Sequence, residues 1–205
     1  MPNWSFGGII ENFRQRNMPV YGVAFSGGGA KGFSHIGALM AFEKFNIRPE
    51  LLSGVSAGSI AAVLYAAGLS PQDIMDCFSE YTKFSDFTEW AIPRDSFFRM
   101  DRFRKILDSW LPVKNLEELN MPTVVCATDF ERGKTVSWVK GPIVERVVAS
   151  CSIPIIFPPV KVDGIRCVDG GVLRNLPAEV IRPYCRTLIG CNCTPMDRNF
   201  KYKSS

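Results

Sequence analysis

Two short apolar stretches, each closed by glycine and followed at once by residues at helical spacing, leave this chain few folds to choose from. Pro19 to Phe25 (PVYGVAF) reads as a buried strand that ends at Ser26 and three glycines, and Lys31 to Asn46 then carries Phe33, Ile36, Gly37, Leu39, Met40 and Phe42 at the spacing of a helix. The pattern repeats immediately. Glu50 to Ser53 reads as a short strand, Gly54 to Gly58 as a tight turn and Ser59 to Ala67 as a small-residue helix closed by Gly68. Two consecutive strand-turn-helix units predict an α/β layer with a mostly parallel central sheet. At 205 residues and 46% apolar content the chain buries roughly 70% of its unfolded surface, so its core needs neither disulfide nor metal.

The remaining pattern fits that layer. Ser70-Pro71-Gln72-Asp73 opens a further helix, with Ser at the cap and Pro in the first turn. From Phe78 to Trp110 the chain carries nine aromatics: Phe78, Tyr81, Phe84, Phe87, Trp90, Phe97, Phe98, Phe103 and Trp110. They read either as packing of a helical insertion onto the core or as an apolar lid over a site for greasy substrates. Residues 121–128, 134–139 and 165–168 read as strands, the first two joined by the turn 129–133. Pro142 to Ser150 reads as a helix, and 152–159 as a proline-fixed connection. Residues 186–192 read as a last strand. An α/β domain rarely stops just after a central strand, so the chain reads as truncated, short of a final helix.

Composition excludes several function classes. The single histidine, His35, cannot by itself build a zinc site or supply a late triad base. Seven scattered cysteines form no disulfide framework, and Cys191-x-Cys193 lacks a second pair at ligand spacing, so neither metal nor other cofactor is expected. The N-terminus shows no basic and apolar leader and no run reaches the 18 apolar residues of a membrane span, so a reduced, cytoplasmic protein is expected, peripheral to a membrane at most. A net charge of +4, spread along the chain, argues against a nucleic-acid groove and leaves room for attraction to an anionic membrane surface.

The chemistry sits in the turns. Gly54-Val55-Ser56-Ala57-Gly58 is G-x-S-x-G between strand and helix. A serine nucleophile on such a turn needs small neighbours on both sides, and the helix behind it adds positive potential. The competing reading has Ser56 merely capping that helix. Gly27-Gly28-Gly29-Ala30-Lys31-Gly32 fits G-x-G-x-x-G, but the acidic residue a dinucleotide site needs at the end of the next strand is absent. It also lacks the spacer and the Ser or Thr of a phosphate-binding P-loop. Consecutive glycine N–H groups ahead of a helix suit an oxyanion hole instead.

A serine nucleophile needs a base, and no histidine follows Ser56. His35 reads as a helix residue. Asp169, ending a strand and followed by Gly170 and Gly171, is the best-placed carboxylate, whereas Asp129 and Asp163 read as hairpin-turn residues. Phe33, Leu64, Ile155, Ile156 and Phe157 are apolar residues expected around such a site.

The ordered set Gly27 to Gly32, Gly54 to Gly58 and Asp169-Gly170-Gly171, with Ala149 to Pro154 and Phe157 to Val160 between, resembles the patatin-like phospholipases over about residues 19–192. The resemblance implies a three-layer α/β sandwich forming a catalytic domain over 19–205, preceded by an N-terminal extension, 1–18. It implies a Ser-Asp dyad of Ser56 and Asp169, oxyanion glycines among Gly27, Gly28 and Gly29, and supporting roles for Lys31, Gly32, Gly54, Gly58, Gly170 and Gly171. Lys31 itself reads either as a solvated lysine or as a contact for an anionic head group. The activity implied is serine-dependent hydrolysis of phospholipids or related acyl esters, of the phospholipase A or lysophospholipase kind. The alternative is a catalytically weak lipid- or membrane-binding module of the same fold.

Overall fold

The computed structural model describes residues 19–84 and 96–194. Among the described residues seven strands form one sheet: β1 (Tyr21–Phe25), β2 (Leu51–Val55), β3 (Thr123–Asp129), β4 (Lys134–Trp138), β5 (Val160–Val162), β6 (Ile165–Asp169) and β7 (Thr187–Cys191). The helices are α1 (Phe33–Lys44), α2 (Ala57–Ala66), α3 (Pro71–Phe84), α4 (Ser96–Trp110) and α5 (Ile143–Ser150). Strands β7, β1, β2 and β3 lie side by side and parallel, while β4 and β6 pair antiparallel with β3, and β5 pairs antiparallel with β6. The expected α/β fold with a mostly parallel centre is therefore present.

Alternation along the strands sorts side chains to the two faces. Val23, Phe25, Leu52, Val125 and Ala127 meet Ile36 and Leu39 of α1, Val63 and Leu64 of α2, and Val147 of α5 in one buried cluster. Ala24, Leu51, Val55, Val124 and Cys126 point the other way, onto Ile181 and Cys185. Among the described residues that second face is covered by residues 176–185, with Pro177 and Pro183 in them and a short turn of 3-10 helix at Arg182–Tyr184. Ser53, whose hydroxyl faces the same way, donates to the Pro177 carbonyl at 2.8 Å and so tethers that covering segment to the sheet.

Pairing along β3 creates the feature on which the site rests. A strand has two edges, and β4 takes one of them along Val125–Asp129. Strands β2 and β6 must therefore share the other, β2 opposite Thr123 to Cys126 and β6 opposite Ala127 to Asp129. The end of β2 and the end of β6 meet head to head, Val55 opposite Cys126 and Asp169 opposite Ala127.

Two differences from the sequence reading have local causes. β2 runs on through Gly54 and Val55, so the expected five-residue turn shrinks to Ser56 and α2 starts at Ala57. Gly54 belongs to the strand because α2 crosses it: a Cβ there would lie 2.5 Å from the Gly58 carbonyl oxygen. Strand β5 was hidden in a three-residue stretch behind two prolines. Of the aromatic run, Phe78 and Phe103 are buried and Trp110 packs against the same core, which supports packing for those three. Tyr81, Phe84, Phe87, Trp90, Phe97 and Phe98 lie outside the described side chains, and the 1–18 segment lies outside the described residues.

A methyl group at Gly58 would collide with the backbone carbonyls of Phe25 and Ser26, which the sheet holds in place. Gly58→Ala should therefore cost about 3 kcal/mol in urea denaturation. Gly37→Ala is the control: it is exposed on α1 with open space around it and should gain about 0.5–1 kcal/mol.

Candidate active site

Ser56 follows Val55 directly and stands at φ 51° and ψ −127°, backbone that non-glycine residues rarely adopt. Its neighbours hold it there. The Ser56 N–H donates to the Ser150 Oγ at 2.8 Å, and the Ser150 hydroxyl donates to the Cys126 carbonyl at 2.6 Å, so the turn is pinned to β3. The Ser56 carbonyl accepts from the Ser59 N–H at 2.8 Å and the Ser59 hydroxyl at 2.7 Å. Although Ser56 stands at the N-terminus of α2, its side chain makes no capping hydrogen bond. The capping reading fails, and the hydroxyl instead acts on the Asp169 carboxyl, whose pKa it lowers.

Asp169 is 6% exposed and ends β6. Its N–H donates to the Ser152 carbonyl at 2.8 Å, and its Oδ1 accepts from the Gly171 N–H at 2.7 Å. Burial holds its carboxyl above the ordinary carboxylate range, against hydrogen bonds from the Ser56 hydroxyl and the Gly171 N–H that pull it down. A raised pKa makes it a better proton acceptor than an exposed aspartate. Gly170 threads the head-to-head junction, where a Cβ would lie 2.8 Å from the Cys126 carbonyl oxygen and 3.0 Å from Val55. A Cβ at Gly171 would lie 3.0 Å from the Asp169 Oδ1.

The glycine loop closes over the same junction. A Cβ on Gly27 would lie 3.2 Å from the Ser56 Cβ, which places the loop against Ser56. The Gly27 N–H, however, already donates to the Asn175 carbonyl at 3.0 Å, so this glycine serves close approach and is no free donor. The N–H groups of Gly28 and Gly29 have no acceptor among the described residues, which narrows the expected oxyanion donors to these two. Gly29 takes φ +54°, the left-handed region that suits glycine. Gly32 lets the start of α1 pack on Ala57, 2.6 Å from where its Cβ would stand, and Lys31 is exposed on the loop.

The rivals are placed elsewhere. His35 is buried on α1 with Nε2 2.8 Å from the Ser26 carbonyl and its ring edge-on to Phe25. Burial lowers its pKa more than that hydrogen bond raises it, so it is a neutral donor. Cys151 adjoins the Ser56 and Ser59 hydroxyls, but burial and then the Asp169 charge push its thiol far above the ordinary range, leaving no thiolate nucleophile. Asp129 accepts from the Glu131 and Arg132 N–H groups at 3.0 Å, and Asp163 sits in the β5–β6 turn at φ 49°, as hairpin residues do. Of the apolar residues expected around the site, Leu64 is buried in the core, Phe33, Ile156 and Phe157 are half-buried, and Ile155 faces solvent.

Three supporting residues escaped the sequence reading. They are Ser150, Ser152 and Asn175, whose side-chain Nδ2 donates to the Gly27 carbonyl at 3.2 Å and to the Thr194 hydroxyl at 2.8 Å. Their one signal was small polar residues at the end of an apolar helix and beyond a glycine pair.

Ser150→Ala would leave the Ser56 N–H and the Cys126 carbonyl buried without their present partner, and should cost about 1–3 kcal/mol by urea denaturation. Asp169→Asn should stabilise the fold. A carboxyl whose folded pKa is raised loses stability as pH rises through that value, so the Asn variant and wild type should melt alike near pH 4, with the variant's Tm higher at pH 7.

Residues 23–182 match the family model for patatin-like phospholipase. An uncharacterized NTE family protein of Mycobacterium tuberculosis is 28% identical over 177 residues, covering 86% of this chain and 30% of that protein. Patatin-like phospholipase domain-containing protein 6 of Mus musculus is 29% identical over 167 residues, covering 78% of this chain and 12% of that protein. Among solved structures, VipD from Legionella pneumophila shares the fold, with a TM-score of 0.56 and 17% identity over 78% of this chain and 47% of that one. The chain thus spans less than half the length of each. With the family match running from β1 through Asp169 to the segment covering the second sheet face, the chain belongs to the patatin-like phospholipase family.

Proposed function

We propose that this chain is a serine-dependent acyl-ester hydrolase acting on phospholipids or related lipids, with Ser56 as nucleophile and Asp169 as base. The observation that carries the reading is that Ser56 and Asp169, both buried, are brought together at the head-to-head junction of β2 and β6, where burial raises the carboxyl's pKa. Asp169 takes the Ser56 proton as Oγ attacks the ester carbonyl carbon. The carbonyl oxygen becomes an oxyanion facing the Gly28 and Gly29 N–H groups, and the N-terminus of α2 adds positive potential behind it.

Collapse of this intermediate expels the alcohol, which carries away the proton held by Asp169 and leaves an acyl-serine. Asp169 next deprotonates a water that attacks the acyl carbon. Ser56 regains its proton and the fatty acid departs. No imidazole is needed, because burial brings the carboxyl nearer the basicity a proton acceptor requires. Lys31, exposed on the glycine loop, would meet the charged part of a head group.

A fluorophosphonate probe should label the wild type and leave Ser56→Ala unlabelled. Asp169→Asn should lower kcat on a short-chain p-nitrophenyl ester by about 10²–10⁴-fold while remaining folded. Wild-type activity should fall as pH drops through the raised Asp169 pKa. A folded wild type that neither labels nor turns over this ester would instead indicate a binding module without catalysis.

A further inference from the structure

Seven large apolar side chains are well exposed among the described residues: Val20, Met40, Phe45, Phe130, Ile155, Val172 and Leu173. Four of them sit on the loops around the dyad. Phe130 follows the carboxyl end of β3, and Val172 and Leu173 follow Asp169 within four residues. Ile155 lies three residues past Ser152, whose carbonyl holds the Asp169 N–H, and so within about 11 Å of Ser152 along the chain.

Ile155 is the most telling of the four. It is fully exposed, and its backbone stands at φ 75°, which a β-branched residue adopts only under strain. A side chain with no packing inside the fold and an unfavourable backbone contributes nothing to the stability of its own domain. Asparagine or glycine would fit the turn better. The residue makes physical sense if its side chain is buried against something outside the chain.

The charges on these loops indicate what that is. The carboxylates are already neutralised: Asp129 by Arg132 at 3.1 Å, Glu131 by Arg166 at 3.5 Å and Glu179 by Arg174 at 2.9 Å. Lys31 and Lys134 are exposed and have no ion-pair partner among the described residues. Lys134 lines an open cleft of about 430 Å³ with Gly133, Thr135, Leu173 and Arg174, which sets a free cation beside an exposed leucine. Apolar side chains interspersed with unpaired lysines complement a surface that is apolar beneath and anionic on top.

We propose that these loops form a docking surface for an anionic lipid bilayer, with Ile155 inserted below the head groups and Lys134 held at their level. The inference rests on the acyl-hydrolase reading and names how that site reaches its substrate: the mouth of the dyad is pressed onto the membrane. Ile155 touches no reacting group, so docking and chemistry are separable.

The test uses the full chain in a Ser56→Ala background, where vesicle co-sedimentation reads binding without turnover. Binding to vesicles of mixed phosphatidylcholine and phosphatidylglycerol should exceed binding to phosphatidylcholine alone and weaken with salt. Adding Ile155→Asn should weaken it at least about tenfold, from the loss of one buried aliphatic side chain. Adding Lys134→Gln should remove part of the preference for anionic vesicles. In the otherwise wild-type chain, Ile155→Asn should keep hydrolysis of a soluble short-chain ester unchanged and should raise Tm as the strain is relieved. Co-sedimentation unchanged by Ile155→Asn, or equal on neutral and anionic vesicles, overturns the proposal. Absent ester hydrolysis alongside Ile155-dependent sedimentation would instead sink the acyl-hydrolase reading and leave the docking surface standing.

Discussion

Everything at this site depends on one edge of β3 being shared by two strands. Because β4 occupies the opposite edge, β2 and β6 are forced into line, and hydrogen bonding to consecutive residues, Cys126 and Ala127, brings their ends together. Ser56 and Asp169, which are 113 positions apart in the chain, thereby become neighbours through backbone pairing alone. Other features adapt to that junction. Gly170 is glycine because a carbonyl of β3 occupies the space beside it, and Ser150 is a small hydroxyl because it must bridge the turn to the same carbonyl. The helix face of the sheet packs against a common core, so the register cannot slip without turning apolar side chains toward solvent.

The junction gathers several features that are unfavourable in themselves. Ser56 holds a positive φ, Asp169 keeps a charge out of water, and the glycine loop leaves two N–H groups without acceptors among the described residues. Each is held in place by a rigid neighbour: the Ser59 and Ser150 hydrogen bonds, the Gly171 N–H, and the Asn175 clamp on Gly27. Such clustering is expected where donors and acceptors are set out in advance for a charge that exists only during reaction. The remainder of the core, with Phe25, Leu39, Leu52 and Leu64 fully buried, supplies the stability that tolerates it.

Most of the architecture was legible because it is encoded locally. Glycine at a strand end, apolar residues at helical spacing and proline at a first turn each act within a few residues, and these identified the parallel units, the serine turn and the aspartate. The absence of histidine after Ser56 was legible as well, and it argued against a triad built on a late imidazole. What escaped depends on distant partners. That Gly54 lies in a strand follows from α2 crossing it, and that Gly27 is no free donor follows from Asn175, 148 positions away. The strand β5 was too short and too close to proline to register as a period. The strain at Ile155 leaves no trace in the sequence, since isoleucine in a proline-flanked loop looks like any apolar residue.

The head-to-head junction also determines where this domain can change without losing its chemistry. The separation of Ser56 and Asp169 is measured along β3 from Cys126 to Ala127, and no part of that measure passes through the β3–β4 turn or the β5–β6 turn. Residues can be added to or removed from those turns while the two side chains stay in register. A single insertion between Thr123 and Ala127 would part them by about 3.3 Å and turn one of them to the opposite face. Length changes that preserve the junction are thereby confined to the turns, while five residues of one strand cannot change in number without parting Ser56 from Asp169.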